Sequence, residues 1–128
     1  MKPRDEIQDF LAQCYGTDKP YIIHGLVKRL VFTDSIRVLR EMAECFWLVD
    51  AIASYQHELK KESFQVWKFN KKDKVLTCED GNGNELVRQD DIYSDFPLDE
   101  ITLWAELGGY MSGGDWVEAM VLMVPSER

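Results

Sequence analysis

The sequence predicts an α+β domain: N-terminal helices packed on one face of a four- to five-stranded antiparallel meander sheet. Three observations carry this expectation. Up to about residue 61, apolar residues recur at three- and four-residue spacing. After Ser63 the period changes to two, and clusters of Gly, Asn and Asp then punctuate the chain. A strand–helix–strand alternation is missing, which sets aside the parallel nucleotide-binding folds. With 128 residues, 45% apolar composition and 12% aromatics, residues 1–128 are expected to form a single packed domain.

Asp5 to Cys14 reads as a short helix, its apolar face made by Ile7, Phe10, Leu11 and Cys14. Gly16 is the expected C-cap, with Pro20 beyond it. Tyr21 to Thr33 reads as extended chain, and Leu30-Val31-Phe32-Thr33 as a short strand. Thr33 or Asp34 can cap the next helix. The stripe Val38, Met42, Cys45, Val49, Ile52 would continue unbroken to Leu59. The parallel stripe Ile36, Leu39, Ala43 instead runs into Asp50, Ser54 and His57. A break near Ala43–Cys45 resolves this conflict and gives helices at 34–43 and 45–61. Cys45 to Ala53 is apolar nearly all round, so the first half of the second helix is expected to be buried.

Phe64 to Phe69 and Lys74 to Glu79 read as a hairpin, with a turn at Asn70–Asp73. Asp80-Gly81-Asn82-Gly83-Asn84 is a strong turn signal before a third strand at Glu85–Ile92. Phe96-Pro97-Leu98 bends the chain. Ile101–Leu107 and Val117–Val124 are the fourth and fifth strands, joined by an eight-residue mobile tip at Gly108–Asp115.

Charge is divided along the chain. Residues 1–72 hold 12 Lys/Arg and 10 Asp/Glu, a net of +2; residues 73–128 hold 3 and 13, a net of −10. The densest segment carries Asp90, Asp91, Asp95, Asp99 and Glu100 without a base. Such a surface repels nucleic acid and attracts basic groups within about 8 Å at physiological salt. Direct nucleic-acid binding is therefore not expected, and Lys28-Arg29, Lys60-Lys61 and Lys71-Lys72 read as solvated pairs.

Candidate chemistry is sparse. Asp50, Ser54 and His57 share a helical stripe, but Asp50 and His57 would stand about 10 Å apart along the axis, too far for a base–orienter bond. Asp80, Asn82 and Asn84 match the first three ligand positions of a calcium loop, yet Glu85 occupies the place that needs glycine. The double glycines 108–109 and 113–114 could cradle a phosphate, but no helix follows and no base is near. Cys14, Cys45 and Cys78 lack metal-ligand spacing and read as reduced thiols. No catalytic residue, cofactor or metal is expected. With no apolar segment after Met1 and no stretch of about 20 apolar residues, neither a signal peptide nor a membrane span is expected. The cytoplasm is the expected location. The mobile tip makes Tyr110, Met111 and Trp116 candidate contact residues, since mobile aromatic and methionine side chains suit interfaces. Trp47, Asp50 and Trp67 are the candidates for a pocket between helices and sheet.

Several segments resemble an uncharacterised family of bacterial and phage domains carried on mobile elements. They are Phe32–Asp34, Trp47–Gln56, Leu76–Glu79, Phe96–Ile101 and Val121–Glu127, with Trp47–Gln56 and Phe96–Ile101 the most specific. The Gly108–Asp115 segment departs from the pattern, being longer than the family's usual turn. The resemblance implies a cytosolic accessory protein of mobile DNA and transfers no site residues. The expected function is therefore a small acidic binding protein that docks on a basic protein surface, such as that of a nucleic-acid-handling complex. Its sharper form is an anti-defence inhibitor or nucleic-acid mimic. The alternatives are a ligand-binding or hydrolytic protein using the pocket, and a homodimer formed through an edge strand or the C-terminal hairpin.

Overall fold

The structure, a computed structural model, describes residues 2–13, 23–27 and 30–127, the side chains of 23–27, 112 and 127 excepted. Among the described residues, three α-helices, α1 (Arg4–Gln13), α2 (Asp34–Met42) and α3 (Phe46–Ser54), accompany seven strands. The strands are β1 (Ile23–Val27), β2 (Leu30–Thr33), β3 (Phe64–Asn70), β4 (Val75–Glu79), β5 (Glu85–Gln89), β6 (Glu100–Ser112) and β7 (Asp115–Met123). The fold is α+β, as expected, and the helices cover one sheet face. The sheet itself corrects the expectation. It is mixed and seven-stranded, in the order β1-β2-β7-β6-β3-β4-β5, not a four- to five-stranded antiparallel meander.

Two features break the meander. β2 runs parallel to β7, pairing Leu30, Val31 and Phe32 with Met120, Val121 and Leu122. Both segments are continuous apolar runs that are buried on both faces, the pattern of strands with neighbours on each side. The chain also crosses back past two strands after β5. β6 returns beside β3, with Phe69 opposite Ile101 and Phe64 opposite Glu106. The intervening loop is pinned by Phe96 and Leu98, which enter the core; the Phe96 ring meets Phe69 edge-on at 5.8 Å.

The helical layer follows the sequence closely until α3 ends. Thr33 caps α2, its hydroxyl accepting from the Ile36 N–H at 3.4 Å. The expected break falls at Ala43–Cys45, where Glu44 has φ +50. α3 stops at Ser54 instead of reaching residue 61. The reason is Gln56: its buried amide turns back to donate to the Ile52 carbonyl at 3.0 Å, and residues 55–61 form turns that lead into β3. Phe46, at the start of α3, is 46% exposed, not buried. The Arg40 guanidinium lies over its ring and over that of Phe32, 4.7 Å from each. Gly16, Pro20 and Cys14 lie outside the described residues.

The core collects Ile7, Ile36, Leu39, Leu48 and Ile52 from the helices against Trp67, Phe69, Leu76, Leu103 and Leu122 of the sheet. A smaller cluster on the opposite face joins Val31, Val121 and Met123, with Trp104, Tyr110 and Ala119 packed around it.

Candidate functional site

The pocket residues do not converge on an open site. Trp47 packs edge-on against Phe69 at 5.0 Å, and Trp67 is 1% exposed beside Tyr55 at 5.8 Å. Asp50 is exposed. What fills the helix–sheet interface is a closed polar network that the sequence reading missed. Gln56 and Gln65, both buried, exchange amide hydrogen bonds at 2.9 Å in each direction. The Trp67 indole N–H donates to Gln65 Oε1 at 2.9 Å. Each amide oxygen and nitrogen of the pair has a partner, so the network ties the end of α3 to β3. The only legible signal was a glutamine at an inward position of an alternating strand.

The helical stripe of Asp50, Ser54 and His57 is exposed throughout. Ser54 Oγ donates to the Ala51 carbonyl at 2.6 Å, not to a base, so no nucleophile is assembled. The Asp80 loop is a self-capped turn. Asp80 accepts from the Asn82 and Asn84 N–H groups at 2.8 and 3.2 Å and from the Asn84 side-chain amide at 2.7 Å. The Asn84 side chain, followed by these backbone amides, holds the Asp80 carboxyl below its usual range. Among the described residues no cluster of three His, Cys, Asp or Glu is placed to hold a metal ion. Cys45 and Cys78 are free and buried, and burial pushes both thiols up to about 12.

The acidic segment is an anchored loop. Phe96 and Leu98 are driven inward, and Asp90, Asp91, Asp95, Asp99 and Glu100 remain exposed. The Ile92 N–H donates to the Lys74 carbonyl and the Lys71 N–H to the Asp99 carbonyl, both at 2.9 Å. These bonds set the loop against the β3–β4 turn, so Lys71, Lys72 and Lys74 neighbour it in space although no base interrupts it in sequence. A hollow of about 460 Å³ is lined by Lys71, Lys74, Tyr93, Ser94 and Asp95. Asp90 pairs with Arg88 at 3.2 Å, while Asp91, Asp95, Asp99 and Glu100 form no ion pair among the described residues.

The expected mobile tip is instead regular structure. β6 and β7 pair through to Ser112–Asp115, and only Gly113 and Gly114 turn, at φ +58 and +88. Positive φ at both central residues is the hairpin turn that matches strand twist. β3 pairing stops at Glu106 and β2 pairing at Met120, so residues 108–119 form a two-stranded ribbon beyond the sheet. At roughly 3.3 Å per residue it extends about 15 Å. Met111 and Trp116 are directly opposite, each 63% exposed, and Leu107 on the same face is 46% exposed. Tyr110 turns to the other face and packs on the Val31–Val121–Met123 cluster. The three candidate contact residues thus divide two to one between the faces.

Geometry of this kind, with a closed glutamine–tryptophan network inside and apolar side chains exposed on a projecting ribbon, defines an α+β module in which no reaction centre is assembled among the described residues. The chain belongs to the family of unknown function DUF6876, whose profile matches residues 5–128. No curated protein and no solved structure matches it.

Proposed function

We propose that the protein is a small acidic binding protein that docks on a basic protein surface. The observation that supports this is a base-free run from Gln89 to Glu127. It holds nine acids and builds both the anchored acidic loop and the ribbon. Unlike charges on two proteins steer encounter over about a Debye length and suppress acidic or nucleic-acid partners. The lysines of the β3–β4 turn soften the field at the loop, so the ribbon side is the purer acidic surface. On this reading, which the segment resemblance suggests, it is an accessory or inhibitory protein of a phage or mobile element, acting in the cytoplasm of the host. A partner within a nucleic-acid-handling or defence complex suits that setting. No helix among the described residues is long and apolar enough to cross a membrane. The ligand-pocket reading gains no support, because ring packing fills the space at Trp47 and Trp67.

The test is capture from host lysate on the immobilised protein at about 0.15 M salt, followed by elution at about 0.5 M. The reading expects a basic protein that is retained at the first and released at the second. Retention of acidic proteins alone, or binding indifferent to salt, would overturn it.

A further inference from the structure

We propose that the outer β6–β7 ribbon is the contact arm, and that Leu107, Met111 and Trp116 insert into an apolar groove bordered by lysine or arginine on a partner protein. This deepens the docking reading above and rests on it. Five large apolar side chains are exposed among the described residues, and three of them lie on this one strip. The register puts them there: Leu107 opposite Met120, Met111 opposite Trp116, with Gly109 between them on the same face. That face is the outward continuation of the one carrying Leu103 and Ala105, which the helices cover further in.

Gly109 explains how the strip is held. A Cβ there would run into the Val117 carbonyl oxygen and would meet Trp116 ring atoms at 2.8 and 2.9 Å. The indole therefore lies across the glycine backbone and stays largely open to solvent. A rigid aromatic with one face packed and the other exposed is the kind of group that anchors interfaces. Methionine beside it adapts to irregular grooves.

Charge selects the occupant. The strip is flanked by Glu118 on its own face and by Asp115 at the tip, and no Lys or Arg occurs between Gln89 and Glu127. A second copy of this chain would bring acid against acid at net charge −8, so self-pairing is disfavoured and a basic rim is complementary.

The test uses the full chain labelled with 5-fluorotryptophan. It has four tryptophans, and the Trp116 fluorine signal is assigned with Trp116→Phe. The probe is a short amphipathic peptide of leucine and lysine, with a leucine–glutamate peptide as control. The Trp116 signal is expected to move saturably with the lysine peptide, and the affinity to fall about tenfold between about 0.05 and 0.3 M salt. Trp47 and Trp67 should stay still. The Leu107→Ser/Met111→Ser double variant, altered only at exposed sites, should unfold at the wild-type denaturant midpoint and bind about tenfold more weakly. An unmoved Trp116, or equal shifts from the glutamate peptide, would overturn the proposal. So would a Trp116 shift that tracks protein concentration alone, which would make a second copy the occupant. Should the double variant capture the same salt-labile basic protein from lysate as the wild type, the arm assignment fails while the docking reading stands. If the wild type captures none, the docking reading itself fails.

Discussion

Gln65 is the residue whose loss the core should feel most sharply outside its apolar members. Gln65→Leu removes the acceptor of the Trp67 indole and of the Gln56 amide, and orphans Gln56 Oε1. Gln56→Leu leaves Trp67 satisfied. Both should destabilise by roughly 1–3 kcal/mol in urea unfolding, with Gln65→Leu the larger loss; equal effects would argue that the indole bond contributes nothing. Gly109 should be equally intolerant locally. Gly109→Ala forces the Trp116 ring away at an expected cost of about 1–3 kcal/mol, read as faster hydrogen exchange in residues 108–119. Asp80 adds a pH signature. Its carboxyl is depressed in the folded state, so its contribution is complete above the unfolded value near 3.9 and is lost as pH falls through the folded value. Asp80→Ala should therefore be less stable than wild type at pH 7, and the gap should close as acid protonates Asp80. For Cys45 and Cys78, whose thiols are raised by burial, alkylation at pH 8 should occur only when the chain is unfolded.

At the scale of elements, the sequence was readable where periodicity and turn chemistry agreed. The α2–α3 break is one such place, because continuing either stripe would have buried Asp50 or exposed Ile36. The β3–β4 hairpin and the Asp80 turn are others. α3 ends sooner than its apolar pattern because Gln56 turns its amide back to the Ile52 carbonyl while bonding Gln65 across the interface, an arrangement that no local pattern encodes. The ribbon was mistaken for a mobile tip because four glycines were read as loop. Two of them form the turn, and Gly109 is demanded by the indole across the strand pair. The parallel β2–β7 pair was legible in principle: Leu30-Val31-Phe32 and Val121-Leu122-Met123-Val124 are apolar without alternation, which signals burial on both faces. Met111 and Trp116, two of the candidate contact residues, are exposed. Their common face, and the turning away of Tyr110, needed the register. Thr33→Ala should cost about 1 kcal/mol of stability through the α2 cap, measured by thermal or urea unfolding; no loss would mean that the 3.4 Å bond is not formed in solution.

Over the whole molecule, the −10 net charge of residues 73–128 does not gather on one plane. It separates into the turn at Asp80, the anchored loop at Asp90–Glu100 beside three lysines, and the ribbon with Asp115 and Glu118. Neutralising acids of the loop and the ribbon together probes the charge without touching the core. The most direct measurement is the dissociation constant of the captured basic partner as a function of salt. It should compare the wild type with Asp95→Asn/Asp99→Asn/Glu100→Gln/Asp115→Asn/Glu118→Gln. All five side chains are exposed, and the variant should unfold at a similar midpoint. The docking account predicts binding at least about tenfold weaker near 0.15 M salt, with a flatter salt dependence. An unchanged constant and an unchanged slope would contradict it.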